Sequence, residues 1–252
     1  MKSTSTQTVF TIIGVVITLI ALVFGNNFYK QLTGGSIFDI PTPIPPVVSP
    51  AIQPAAEEPP AVETRQESFP SMLSDGEVLY VDCEIGWDDC RNSLISNANW
   101  EGLSIASVQA TRNGDVFTIN RVFLFFDTTS IPPDAVVTSA ALYLFSDQYI
   151  NGNTKIHVVP SSSNIQLQPD DFSRIEFVSG GSTDVSEPFM WFSINLEESA
   201  LSWIDPSGFT YLALVQDNDL RNEVPTDVNG ITISTSEAEE YAPYLVVDYY
   251  LP

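Results

Sequence analysis

Few residues in this sequence carry the chemistry that catalysis needs. The single histidine, His157, sits in the alternating stretch KIHVV, where a structural strand residue is the ordinary reading. Serine is plentiful, but neither a G-x-S-x-G turn nor a second histidine accompanies it, so no nucleophile–base–acid set can be read. A glycosidase needs only two carboxylates at a suitable separation, and the 27 acidic residues after Met72 single out no pair. Cys83 and Cys90 are the only cysteines, so a zinc site of the usual kinds cannot be assembled. The chain reads as noncatalytic.

Oxygen ligands are abundant, and a structural calcium ion is the cofactor they would take. Asp217, Asn218, Asp219 and Glu223 form one candidate loop; Asp82, Glu84, Asp88 and Asp89 form a second around the cysteines. Neither has the fixed spacing of an EF-hand loop, and a solvated acidic loop is the alternative. Among the four tryptophans, Trp87 and Trp100 lie in loop-like sequence (IGWDDC and NANWEG) and are candidate sugar-stacking platforms, against packing as loop anchors. Trp191 and Trp203 fall in strand and helix contexts and read as core. With six residues between them, Cys83 and Cys90 are expected to form a disulfide if the domain is exported, and to be free buried thiols if it is cytosolic.

Charge narrows the partners. The formal charge is −23, with nine lysines and arginines in 252 residues. Such a field repels phosphate backbones, so nucleic acid is not an expected partner. A glycan or a surface protein is.

Three segments position these residues. Residues 1–30 contain Val9–Phe24, an uncharged apolar run that reads as an uncleaved signal anchor placing the rest of the chain on the extracellular face of the membrane; a cleaved signal peptide and secretion is the alternative. Residues 31–72 are proline-rich and read as an extended stalk. Residues 73–252 hold short strand-like segments, rich in β-branched and aromatic residues, with turn residues between them. Strands are predicted at Val78–Asp82, Leu103–Ala110, Phe117–Phe126, Val136–Phe145, Thr154–Val159, Met190–Leu196, Phe209–Val215, Gly230–Thr235 and Leu245–Tyr250. One short helix is predicted at Glu197–Ile204, and the fold class is an all-β, antiparallel, jelly-roll-like sandwich.

Two strands are most informative. FTINRVFLFF puts Val122, Leu124 and Phe126 on one face and Arg121, Phe123 and Phe125 on the other; SAALYLF likewise separates Leu142 and Leu144 from Tyr143 and Phe145. If the aliphatic set fills the core, four aromatics emerge on the opposite side. Either a loop or the Glu197–Ile204 helix covers them, or Phe123, Phe125 and Tyr143 form a platform with Arg121 at its edge. The arrangement of Arg121, Phe126-Asp127, Ile131-Pro132 and Ser139-Ala140-Leu142-Leu144, followed by Pro243, Leu245, Val247 and Tyr249, resembles the DNRLRE domain of secreted and cell-surface proteins. That family is related to disaggregatase domains and some carbohydrate-binding modules. The resemblance implies a jelly-roll-like sandwich in an extracellular setting, with polysaccharide or cell-envelope glycan binding as a role. A structural or adhesive protein that binds another protein is the alternative.

Overall fold

The structure is a computed structural model that describes residues 63–150, 152–163 and 165–252. The apolar segment Val9–Phe24 and nearly all of the proline-rich stretch therefore lie outside the described residues. The described chain is all-β. Its strands are β1 (Thr64–Pro70), β2 (Gly76–Cys83), β3 (Ala98–Glu101), β4 (Ile105–Asn113), β5 (Val116–Asp127), β6 (Val136–Ile150), β7 (Lys155–Pro160), β8 (Ser182–Asp184), β9 (Met190–Asn195), β10 (Phe209–Gln216), β11 (Val228–Ser234) and β12 (Tyr244–Tyr250). Two single-turn helices, α1 (Trp87–Arg91) and α2 (Asp217–Arg221), accompany them.

All nine expected strands form. Three more were not expected. β1 runs antiparallel to β12, with Thr64 opposite Tyr250 and Pro70 opposite Tyr244, so the sandwich begins at Thr64 and not at residue 73. The segment TRQESFP follows the last of the clustered prolines. Its own Pro70 ends an outer strand, where the missing N–H is tolerated. β3 and β8 are four and three residues long, too short to carry a periodic signal. The predicted helix at Glu197–Ile204 is instead a 3-10 turn, Glu198–Trp203. Six residues make two tight 3-10 turns before Pro206 prevents continuation.

The strands join in one antiparallel sheet in the order β1-β12-β6-β11-β4-β5-β10-β7-β8, with β2 and β3 attached beyond β5, and β9 beyond β6. β6 passes from one neighbour to another along its length, pairing with β12 over Val136–Tyr143 and with β11 over Ser146–Ile150. That transfer lets the sheet curl onto its own apolar face, the sandwich-like closure expected of the class. Alternating residues fill the interior: Val122, Leu124 and Phe126 from β5, Leu142 and Leu144 from β6, Leu212 and Leu214 from β10, Ile231 and Ile233 from β11, and Leu245 and Val247 from β12. The 3-10 turn closes this core with Ala200 and Ile204, and Trp203 packs against it. A Cβ on Gly180 would meet the Trp203 ring at 2.1 Å, so that close approach requires glycine.

A second apolar cluster lies on the other side of β5. It joins Val78, Ile119, Phe123, Phe125, Ala213 and Val215 to Leu167, Phe172 and Ile175 from the β7–β8 connection, and to Trp87 and the Cys83–Cys90 disulfide. β5 is thus buried on both faces, as its near-continuous apolar run VFLFF requires.

Candidate functional site

The corresponding outer face of β6 has no such covering segment among its described contacts. Tyr143 and Phe145 point away from the core, and the flanking strands add aromatics at the same level. Tyr244 of β12 stands opposite Tyr143, and Trp191 of β9 stands opposite Phe145. Cross-strand neighbours on one face are close enough for their rings to meet. Tyr143 and Tyr244 stack with centroids 4.7 Å apart and planes 3° from parallel. Phe145 meets Trp191 edge-on at 5.6 Å and Tyr241 at 4.2 Å, and Trp191 meets Tyr244 at 5.4 Å. Trp191 remains 38% exposed and Tyr241 39%, with Phe189 and Met190 also exposed beside them in the chain. Five rings form one fixed, partly open apolar face.

Tyr241 reaches this face from the 3-10 turn Ser236–Tyr241, which is fastened from below by Asp75. The Ser236 hydroxyl and backbone N–H both donate to the Asp75 carboxylate, at 2.6 Å and 3.1 Å. Burial pushes the Asp75 carboxyl up to about 6, against the lowering effect of the Ser236 hydrogen bonds. Thr235, just before the turn, donates through its hydroxyl to the Leu103 carbonyl oxygen.

The expected platform divides in two. Tyr143 belongs to the open face, whereas Phe123 and Phe125 are completely buried in the second cluster. Their cover is the 165–177 segment; the Glu198–Trp203 turn instead packs against the inner core. Arg121 is not at an edge. It is buried, donates through Nε and Nη2 to the two Asp219 carboxylate oxygens at 2.8 and 2.9 Å, and lies 3.9 Å above the Phe172 ring. Its remaining N–H groups donate to the carbonyl oxygens of Phe172 and Arg91, so one guanidinium ties β5 to α1, α2 and the covering segment.

Trp87 is also a correction. It is 5% exposed on α1, tilted against Phe117, with its indole N–H donated to Asn222 at 3.0 Å. The disulfide that closes Cys83 onto Cys90 holds that helix against the second cluster, which a reading of IGWDDC as open loop could not anticipate. Trp100 is exposed, on β3 and not in a loop, but β3 pairs only with β2 and brings it to no other predicted site residue.

In the first candidate calcium loop the carboxylates are already engaged by protein partners. Asp219 is consumed by Arg121. Asp217 accepts from His157 at 2.8 Å and from Asn153 at 3.2 Å, and pairs with Arg221 at 3.1 Å. Burial raises the Asp217 carboxyl, but these partners outweigh it and hold the group below its ordinary value. Asn218 accepts from Asn229, and Glu223 is exposed. Among the described residues, no three acidic, histidine or cysteine side chains converge around a common point, in either candidate loop.

His157 is less isolated than its sequence indicated, since it bridges Asp217 through Nε2 and Ser179 through Nδ1 at 2.9 Å. The line has the composition of a catalytic triad without its surroundings. His157 is 5% exposed, and the neighbouring Gly180 N–H, which would have to stabilise an oxyanion, donates to Val158 at 2.8 Å. Desolvation lowers the His157 pKa despite the Asp217 carboxylate. A cleft of about 460 Å³ lies elsewhere, between β6 and the Glu198–Trp203 turn, lined by Val137, Thr138, Ser139, Leu196, Leu201 and one carboxylate, Glu198.

Sequence reasoning missed Trp191, Tyr241 and Tyr244. The alternation in YLVVDYY does put Tyr244 on the face opposite Leu245, but the pairing that sets β9 and β12 beside β6 joins residues about 50 and 100 positions apart. No local pattern encodes it.

Comparison with known proteins bears on ancestry. A search of the curated proteins finds no match. Among solved structures, the K1 cleaved adhesin domain of Lys-gingipain (Kgp) from Porphyromonas gingivalis W83 aligns with 11% identity over 75% of this chain and 97% of that one, at a TM-score of 0.28. The family model described as TGF-beta propeptide matches residues 84–247, from the disulfide loop into the last strand. That match overturns the DNRLRE resemblance. The residues that carried the resemblance are mostly core and turn positions: Phe126, Ile131, Leu142, Leu144, Leu245 and Val247 are buried in the inner cluster, and such positions specify a sandwich and not one lineage of it. With about two-thirds of its length inside that match, this chain belongs to the TGF-beta propeptide family.

Proposed function

We propose that this domain is a noncatalytic binding module of an exported protein, held at the cell surface or secreted, and that its partner is another protein. The aromatic face of β6, β9 and β12 carries the reading. Five rings locked edge-to-face and stacked form a broad apolar surface whose aromatic composition suits a protein interface. Against glycan, Tyr143 and Tyr244 lie parallel but cover each other's faces, whereas sugar stacking needs ring faces left open. The family name describes a propeptide of TGF-beta, and a segment named for the protein it precedes fits a partner-binding role. The noncatalytic reading is supported by the engagement of Asp217 and Asp219 in fixed ion pairs.

The test is site-specific photocrosslinking in the producing cells, with a photoreactive phenylalanine analogue at Trp191 or, as control, at Asp170, whose side chain is 48% exposed. A discrete protein adduct from position 191 and none from position 170 is expected. Binding of the protein to a polysaccharide on a glycan array, abolished by Trp191→Ala, would replace the protein reading with the glycan one.

A further inference from the structure

The charge around the aromatic face restricts what can sit on it. β6, β9, β12 and the Ser236–Tyr241 turn together contain no lysine and no arginine. They contain Asp147, Asp248, Glu237, Glu239 and Glu240, and Glu187 lies three residues before the start of β9. Glu239 and Glu240 are exposed immediately before Tyr241. The cations of the described chain are elsewhere. Arg91 and Arg121 are buried with Asp219, Arg112 pairs with Asp115, Arg174 with Asp170, and Arg221 with Asp217. Lys155 is on β7, and Arg65 stands opposite Tyr249, five residues along β12 from Tyr244 and therefore about 17 Å away.

We infer that the partner surface seated here is cationic: an apolar protein segment that presents lysine or arginine side chains to the exposed Trp191 and Tyr241 rings and to Glu239 and Glu240. The inference rests on the protein-binding reading and adds the partner's chemistry. Exposed tyrosine and tryptophan faces attract ammonium and guanidinium groups through the ring quadrupole. Carboxylates at the rim add long-range attraction that steers a positive partner and repels a negative one. A second copy of this chain is disfavoured by the same feature, because a two-fold contact through this face would bring each acidic rim against itself.

The probe is a twelve-residue peptide alternating lysine with leucine, compared with peptides carrying serine or glutamate in place of lysine. Each is titrated against the full-length protein in nonionic detergent by calorimetry and tryptophan fluorescence. The lysine peptide should bind about tenfold or more tightly than the serine peptide at low salt, with the difference shrinking as salt rises. E239Q/E240Q should weaken lysine-peptide binding about fivefold, while D88N/D89N, an equal charge change on α1, should alter it less than about twofold. W191A, checked for an unchanged melting transition, should remove binding. Equal losses from the two acid pairs, or binding that survives W191A, would reduce the effect to general attraction by an acidic protein and overturn the inference. Equal binding of the serine peptide, or no peptide binding beside a clean adduct from position 191, would overturn the cationic partner and leave the protein reading standing. No adduct and no peptide binding would remove both.

Discussion

β5 and β6 make the same kind of strand and meet different fates. Each sends chiefly aliphatic side chains to the inner core, with Phe126 of β5 among them, and aromatic side chains outward. On β5 the outward set, Phe123 and Phe125, lies beneath Leu167, Phe172 and Ile175, and Arg121 secures that cover by donating to the Phe172 carbonyl oxygen. On β6 the outward set, Tyr143 and Phe145, meets rings of neighbouring strands and of the Ser236–Tyr241 turn, and Trp191 and Tyr241 stay more than a third exposed. Alternation decides which side a ring takes. A separate, distant segment decides whether that side becomes core or surface.

The largest expected effect is on the tie that makes the β5 face a core. Asp219→Ala leaves the Arg121 guanidinium buried without its carboxylate and should destabilise the fold by about 3–5 kcal/mol in denaturant unfolding. If Arg121→Met with Asp219→Leu recovers most of that loss, the pair contributes specificity more than net stability.

Phe125→Ala should cost about 3–5 kcal/mol, because the ring is fully buried and its removal leaves a cavity between the sheet and its cover. The matched change on the other face, Tyr244→Ala, should cost about 1 kcal/mol, the scale of one aromatic pair on a partly exposed surface. Equal losses from the two substitutions would end the distinction between the faces.

Asp75 gives that distinction a pH dependence. Its folded pKa of about 6 lies above the ordinary aspartate value of 3.8, so its stabilising contribution is fully present below about pH 4 and is lost as pH rises through about 6. The difference in melting free energy between wild type and Asp75→Asn should therefore shift by about 2–3 kcal/mol between pH 4 and 7.5, with the wild type relatively more stable at the acid end. Because Ser236 links Asp75 to the turn bearing Tyr241, Trp191 fluorescence should report the same transition.

The Cys83–Cys90 disulfide closes a short loop, so Cys83→Ser with Cys90→Ser should cost about 2 kcal/mol, read by thermal unfolding. The loss should fall on the second cluster, where Trp87 and α1 are held, and appear as increased amide exchange at Trp87–Arg91 before any change at Trp191.

How much of this was legible follows from the range of the forces involved. Strand periodicity is a local property, and FTINRVFLFF and SAALYLF each declared their two faces without any partner. The disulfide was legible too, because six intervening residues permit the approach of two cysteines. Arg121 on the aromatic side of β5 was readable as a position, but not its burial, since Asp219 lies 98 residues further on. The same separation bears on the calcium reading: DNDLRNE has the oxygen atoms of an ion site, and only the folded chain shows Arg121 and His157 already engaging its carboxylates. Trp87 looked exposed because nothing local announces Asn222 or Phe117 as its neighbours. The sequence alone thus determined nine of the twelve strands, the two faces of the most regular of them, and an acidic all-β class. Tertiary structure alone decided which aromatic face is covered, because hydrogen-bonded register and loop placement join residues that are remote in the chain and leave no periodic trace in it.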